Sequence, residues 1–159
     1  MSAKTNAMRV LEAEAVEFEV CSYQLDDDEF SAENAAQALG LPLEQVFKTL
    51  VVRGDRSGPM VALLPAGTEI DFKRLAQSTG DKKVEMVPLR EVPELTGYER
   101  GAVTPLAMPR SYPVFVDETV ILWKQVGISA GTKGLEIVLS PDDLLRVTAA
   151  KPVDFARSI

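Results

Sequence analysis

The stretch that decides the fold reads Val46-Phe47-Lys48-Thr49-Leu50-Val51-Val52-Arg53. It is rich in β-branched and aromatic residues, and the turn-forming residues 54–59 (GDRSGP) follow at once. This combination predicts a strand that enters a hairpin loop. Because side chains alternate across a strand, Lys48 shares one face with Leu50 and Val52. An otherwise apolar strand therefore carries an ammonium group.

The charge of Lys48 has two interpretations. An ammonium group is rarely buried without a partner, so a lysine that points into a cleft can bind an anion or polarise a reacting group. A lysine near the end of a strand can instead lay its aliphatic stem along apolar surface and keep its charge in water. The strand alone favours the second interpretation.

Helix and strand signals alternate irregularly along the rest of the chain. Residues 4–15 have helical spacing, and Ser31, Asp71 and Ser140 are N-cap residues in front of further helical segments. Short strands are predicted at residues 17–23, 60–65, 84–87, 113–117, 126–131 and 134–139. Without regular βαβ repetition, this pattern predicts a mixed α+β fold whose barrel-like sheet is surrounded by helices.

Length and composition predict an ordinary globular protein. The 159 residues fit a single domain, 1–159, and 46% of them are hydrophobic. No run approaches the roughly 20 apolar residues of a membrane span, and the N-terminus lacks the apolar core of a signal peptide. Cys21 is the only cysteine, which agrees with a reducing compartment. We therefore expect a cytoplasmic protein.

The sequence contains no histidine, which excludes whole classes of site. A Ser-His-Asp or Cys-His machinery is impossible, and so is a zinc site of the Cys/His kinds. Catalysis would have to use lysine, carboxylates, hydroxyls, backbone amides, water or the substrate itself.

The net charge of −7 is unevenly distributed. Residues 1–47 hold 10 acidic and 2 basic residues, whereas residues 48–159 hold 14 acidic and 15 basic ones. A local polyanion site on the second part is therefore possible, although scattered solvated charges are the simpler interpretation. The candidate contributors are Lys73, Arg74, Lys82, Lys83, Arg100, Arg110, Lys133 and Arg146. The acidic run at residues 26–29 lacks the ligand spacing of a calcium loop, and we assign it no chemistry.

Eight segments, in order along almost the whole chain, resemble the bacterial YbaK/ProX family of free-standing aminoacyl-tRNA deacylases. They are KTNAMR (4–9), ALGL (38–41), QVFKTLVV (45–52), KKVEM (82–86), TGY (96–98), GAVTPL (101–106), VGISAG (126–131) and KGLEI (133–137). The likeness is greatest to the branch that removes cysteine mischarged onto proline tRNA. The resemblance implies a mixed barrel with a pocket for the aminoacylated 3′ end of tRNA.

The resemblance also implies a set of site residues. Lys48, Gly101 and Thr104 match positions that act on the ester. Matches to the substrate-binding positions are Tyr23, Thr49, Ala102, Val103, Pro105, Ser129, Ala130, Gly131 and Glu136. The sequence departs from the family pattern at Thr104, where serine is common, at Ala102, where glycine is common, and at Glu136, where the cysteine-clearing members usually carry aspartate.

The chemistry implied by the resemblance needs no histidine. Backbone amides of residues 101–104 would stabilise the oxyanion, Lys48 would anchor the tRNA end, and the substrate thiol or water would attack the ester. The implied partners are the 3′ end of an aminoacyl-tRNA and prolyl-tRNA synthetase, with no metal, cofactor, membrane or DNA. The alternatives are deacylation of alanyl-, seryl- or threonyl-tRNA, a noncatalytic module that binds a tRNA end or a synthetase, and a small-molecule pocket in which Lys48 binds a carboxylate.

Overall fold

The computed structural model describes residues 4–24 and 31–159, so the acidic run at residues 26–29 lies outside the described residues. The helices are α1 (Asn6–Ala13), α2 (Ala32–Leu39), α3 (Phe72–Thr79), α4 (Val92–Thr96) and α5 (Pro141–Thr148). The strands are β1 (Phe18–Ser22), β2 (Phe47–Gly54), β3 (Gly58–Pro65), β4 (Thr68–Ile70), β5 (Val84–Met86), β6 (Val114–Asp117), β7 (Val126–Ser129), β8 (Leu135–Leu139), β9 (Lys151–Val153) and β10 (Ala156–Ser158).

The strands form two larger sheets and one small pair. A five-stranded sheet has the order β5-β2-β3-β6-β9, a three-stranded sheet has the order β1-β8-β7, and β4 pairs with β10. The hairpin β2-β3 is antiparallel, whereas β6 runs parallel to both β3 and β9. An isolated parallel bridge between Val46 and Gly127 joins the two larger sheets. The mixed α+β class predicted from the sequence is confirmed.

Strand β3 separates two hydrophobic cores. Its residues Val61 and Leu63 pack with Phe47 and with side chains of β7 and β8, whereas Met60, Ala62 and Leu64 pack against α3. Every one of these β3 side chains is at most 1% exposed. The period of two follows from the alternation of side chains across a strand. Strand β3 is therefore buried on both faces, and its neighbour β2 pairs with it over its full length.

The helix boundaries follow the capping residues predicted from the sequence. The side chains of Ser31, Asp71 and Ser140 each accept a hydrogen bond from the backbone amide three residues later, at the start of α2, α3 and α5. A 3₁₀ turn, Leu89–Glu91, precedes the short α4 and does not merge with it into one longer helix, because Pro93 can occupy only the first turn of a helix. Within residues 4–24 and 31–159, no helix could cross a membrane.

Strand β2 is paired on both edges only in its second half. All of its residues pair with β3, but β5 pairs only with Val52–Gly54. The residues from Phe47 to Leu50 therefore have one backbone edge without a partner strand among the described residues. Side chains from both faces of β2 reach the space beside this edge, including Lys48.

The turn between β2 and β3 is held by a buried carboxylate. Asp81, which follows α3, accepts hydrogen bonds from the amides of Arg56 and Ser57, each at 2.8 Å, and from the Thr79 hydroxyl at 2.5 Å. Burial raises the pKa of this carboxyl, but these hydrogen bonds to its charged form outweigh burial and lower the pKa from 3.8 to about 2. A Cβ atom at Gly54 would overlap the carboxylate, so only glycine fits there.

We predict that Asp81→Ala lowers the free energy of unfolding at pH 7 by about 1 to 3 kcal/mol, because it leaves the amides of Arg56 and Ser57 at the hairpin without their acceptor. The folded-state pKa lies below the unfolded one, so this stabilisation is complete above the unfolded pKa of 3.8. It is lost as the pH falls toward about 2. Urea unfolding of both proteins across this pH range measures the difference.

Asp55→Ala is the matched control for this prediction. Asp55 lies in the same turn and accepts hydrogen bonds from the amides of Lys82 and Lys83, but these bonds are exposed. Its replacement should cost less than that of Asp81. Equal losses for the two variants, or a loss for Asp81→Ala that persists unchanged at pH 2, would contradict the account.

Candidate active site

A cavity of about 480 Å³ lies beside the open edge of β2. Its walls are α2, β2, the loop after α4 and the turn between β7 and β8. A volume of this size is typical of a small-molecule or cofactor site. The lining residues are Tyr23, Ser31, Ala32, Glu33, Phe47, Lys48, Thr49, Leu50, Arg100, Gly101, Val103, Ser129, Lys133 and Glu136.

Lys48 lies in the cavity wall and is paired with a carboxylate. Its Nζ atom lies 3.4 Å from Oε1 of Glu33, and its side chain is 20% exposed. The same Glu33 oxygen accepts a hydrogen bond of 3.1 Å from the amide of Gly67. Burial raises the pKa of Glu33, but the Gly67 amide and Lys48 together lower it below 4.5. Glu33 thus remains an anion that holds the Lys48 ammonium at the cavity.

Ser129 connects the two loops that form the opposite wall. Its hydroxyl donates to the carbonyl of Ala102 at 2.9 Å and accepts from the amide of Gly131 at 3.1 Å. Gly131 has a φ of 96°, and a Cβ atom there would lie 2.9 Å from the ring of Tyr98, so only glycine fits. The Tyr98 hydroxyl in turn donates to the carbonyl of Leu106. One hydroxyl therefore fixes the loop at residues 101–105 against the turn after β7.

The loop presents part of its backbone to the cavity. Gly101 and Val103 line it, and their amides donate to no acceptor among the described residues. The amide of Ala102, in contrast, donates to the carbonyl of Glu99 at 3.0 Å. The candidate oxyanion donors are therefore the amides of Gly101 and Val103, while that of Ala102 closes the turn.

The predicted site residues divide into a lining group and a supporting group. The members that line the cavity are Tyr23, Lys48, Thr49, Gly101, Val103, Ser129 and Glu136. Those that do not line it are Ala102, Thr104, Pro105, Ala130 and Gly131. Thr104 and Ala130 are completely buried, which gives them a supporting position in this structure. A direct contact of either one with substrate stays a prediction.

The cavity also contains residues that the sequence did not assign to it. Glu33 was not predicted, because only the packing of α2 beside β2 brings its carboxylate to Lys48. Arg100 and Lys133 were two of eight candidate polyanion contacts, and the structure places both at this cavity. The remaining additions are Ser31, Ala32, Phe47 and Leu50.

Two further ionisable groups near the cavity have strongly shifted pKa values. Burial raises the pKa of Glu136 to about 8. Burial and the nearby Glu136 raise the pKa of Tyr23 to about 12, so this phenol stays neutral. The pKa of Cys21 is raised above 9.0, first by burial and then by Glu19 and Glu136, which makes its thiolate scarce at neutral pH.

Across residues 4–24 and 31–159, no group of three or more acidic, cysteine or histidine side chains is placed to hold a metal ion.

Comparison with known proteins agrees with this geometry. Residues 26–147 match the model of the aminoacyl-tRNA editing domain. EbsC of Enterococcus faecalis, whose name gives it as a candidate Cys-tRNA(Pro)/Cys-tRNA(Cys) deacylase, is 39% identical over 91% of this chain and 88% of its own. The multifunctional Ser/Thr-tRNA deacylase ProXp-y of Escherichia coli is 25% identical over 94% of this chain and 90% of its own.

A solved structure is similar over the same extent. The crystal structure of a candidate trans-editing enzyme for prolyl-tRNA synthetase superposes with a TM-score of 0.83 at 27% identity, and covers 99% of this chain and all of its own. The family resemblance found in the sequence is thereby confirmed. The family match, the relatives and the histidine-free cavity around Lys48 show that this chain belongs to the aminoacyl-tRNA editing domain family of YbaK/ProX-type deacylases.

Proposed function

We propose that this protein is a trans-editing deacylase that removes cysteine from mischarged tRNA(Pro) and also acts on Cys-tRNA(Cys). The observation that carries the proposal is the meeting of Lys48, the loop at Gly101 and Val103, and Ser129 around one cavity. The 39% identity to the Enterococcus faecalis relative supports cysteine as the amino acid. The aminoacyl-tRNA is the substrate, and prolyl-tRNA synthetase is the proposed partner that selects the tRNA.

The charges of the cavity suit the end of a tRNA. Lys48, Arg100 and Lys133 supply cationic groups around the same space, although the whole chain is acidic. Phosphates are bound by such clusters, and their binding weakens as salt increases. Lys48, fixed by Glu33, serves as an anchor for the terminal adenosine or its phosphate.

The reaction requires positioning more than an enzyme nucleophile. An aminoacyl ester is already activated, and in this proposal the Gly101 and Val103 amides donate hydrogen bonds to its carbonyl oxygen as negative charge develops there. For a cysteinyl ester, the substrate thiol loses its proton and its sulfur attacks the carbonyl carbon. The ester C–O bond then breaks, the ribose oxygen takes up a proton, and a cyclic thiolactone is released. Attack by water on the same carbonyl instead yields free cysteine.

A second candidate function is supported by the Escherichia coli relative, whose name gives seryl- and threonyl-tRNA as substrates. Serine differs from cysteine only in oxygen for sulfur, so a cavity that accepts one can admit the other. A pocket discriminates a change of one methylene by only about 1 to 3 kcal/mol, and alanine is therefore a third candidate. A hydroxyl is a weaker nucleophile than a thiol, and these esters would be cleaved by water.

We predict that the purified protein accelerates the loss of cysteine from Cys-tRNA(Pro) more than the loss of alanine, serine or threonine from the same tRNA. The thiol supplies an internal nucleophile that the other three side chains lack or supply poorly. Ester loss with and without protein gives the acceleration for each amino acid. A larger acceleration for seryl- or alanyl-tRNA would transfer the assignment to that amino acid. Salt-sensitive binding without any acceleration would favour the noncatalytic module.

We predict that Lys48→Ala lowers kcat/KM for Cys-tRNA(Pro) about 10- to 100-fold, the effect of losing a charged hydrogen bond to substrate. Glu33 keeps its bond to the Gly67 amide, so the melting temperature should change little. The control is Lys73→Ala, because Lys73 is exposed on α3 and does not line the cavity. If the Lys48→Ala variant keeps the kcat/KM of the wild-type protein, Lys48 does not act in this site.

We predict that Ser129→Ala lowers kcat more than it raises KM. The loop amides stabilise charge that exists only in the transition state, and the lost hydroxyl is the one that fixes their position. The control is Ser78→Ala, which removes an exposed hydroxyl on α3. Steady-state kinetics at several tRNA concentrations separate the two constants. An unchanged kcat would contradict the positioning role.

A further inference from the structure

Glu136 is an acidic side chain in the cavity wall that has no partner among the described residues. It lies on β8, opposite Ser129 of β7 and Cys21 of β1. The residue is 5% exposed, lines the cavity, and accepts no hydrogen bond from any described residue. Its Oε2 atom is completely covered. A buried polar group without a partner costs about 1 to 3 kcal/mol, so Glu136 destabilises the unliganded fold.

The neighbouring groups do not neutralise Glu136. On the β1 side the titratable groups are Cys21 and Tyr23, both held neutral by raised pKa values. Lys48 lines the same cavity but is paired with Glu33. Lys133 lies within 4.0 Å of Glu99, and none of the ion pairs among the described residues includes Glu136. The carboxyl is therefore available to a ligand that enters the cavity.

The ligand expected there is a compact cation or a strong hydrogen-bond donor. Every aminoacyl ester carries such a group, the α-amino group, on the carbon atom next to the ester carbonyl. We propose that Glu136 binds this free α-amino group, so that the site accepts esters of free amino acids and rejects acyl groups that lack the amine. This assignment rests on the proposed deacylase function and specifies the class of substrate that the site takes.

The proton balance of this contact is favourable. A free α-amino group has a pKa of about 7.7 to 8.0. The pKa of Glu136 in the unliganded cavity is about 8. A neutral amine that enters the cavity can take the proton of the Glu136 carboxyl, and the resulting ammonium then donates to the carboxylate. An amine that enters already protonated displaces the Glu136 proton to solvent, and either route gives the buried carboxylate a partner that no described residue supplies.

The test compares two esters of the same tRNA that differ only in the amine, cysteinyl-tRNA(Pro) and 3-mercaptopropionyl-tRNA(Pro). Each enzymatic rate is divided by the spontaneous rate of the same ester, because the amine also activates the carbonyl. We expect the wild-type protein to favour the cysteinyl ester about 10- to 100-fold, as for loss of a charged hydrogen bond. In Glu136→Gln, the acceleration of the cysteinyl ester should fall to that of the 3-mercaptopropionyl ester. Glu136→Asp should keep a measurable preference for the cysteinyl ester.

Equal acceleration of the two esters by the wild-type protein would overturn the inference while leaving the deacylase function intact. An equal loss on both esters in Glu136→Gln would also overturn it, because this is the effect of a structural role. Because the glutamine of Glu136→Gln replaces a buried acid with a neutral amide, the melting temperature of this variant should not fall.

A binding measurement keeps the inference testable if no ester is cleaved at all, a result that would contradict the proposed function alone. The probes are stable amides of 3′-amino-3′-deoxyadenosine with cysteine and with 3-mercaptopropionic acid. Calorimetry should show tighter binding of the cysteine amide to the wild-type protein and equal binding to Glu136→Gln. Equal binding of both amides to the wild-type protein would overturn the assignment of Glu136.

Discussion

The site depends on the edge at the start of β2, which no described strand covers. Strand β3 holds one edge of β2 over its full length, whereas β5 covers the other edge only at Val52–Gly54. A strand edge normally invites further pairing, and here α2 and the loop after α4 stand around it without extending the sheet. The cavity is the space that remains. The rigid hairpin, closed by Asp81 at its far end, gives that space a fixed wall.

The chemistry follows from what lines this wall. Without histidine, the groups that remain to act on an ester are lysine, carboxylates, hydroxyls, backbone amides, water and the substrate itself. Lys48, Arg100 and Lys133 line the cavity together with Gly101 and Val103, and the lining residue Glu136 is 5% exposed. Each group is fixed by another element, Lys48 by Glu33 and the loop by Ser129. In the proposed mechanism, precise positioning replaces a nucleophile.

Local signals predicted much of this fold, and contacts between distant elements account for most of what they missed. The apolar stretch around Lys48 and the caps Ser31, Asp71 and Ser140 identified β2 and three helices because strand alternation and capping act over a few residues. The short strands β4, β9 and β10 were missed, since three residues with a proline or a charge among them carry no periodicity. Glu33 was missed because its role exists only through packing of α2 beside β2.

Seven of the site residues implied by the family resemblance line one cavity, but the resemblance did not give the depth of each residue. Thr104 and Ala130 lie behind the surface, while Arg100 and Lys133, undistinguished among eight basic candidates, reach the cavity. The most direct measurement is a crystal structure with the stable cysteine amide of 3′-amino-3′-deoxyadenosine. The account predicts the amide carbonyl oxygen within hydrogen-bond distance of the Gly101 or Val103 amide and the nucleoside beside Lys48. An analogue bound away from β2, or with its carbonyl turned from that loop, would contradict it.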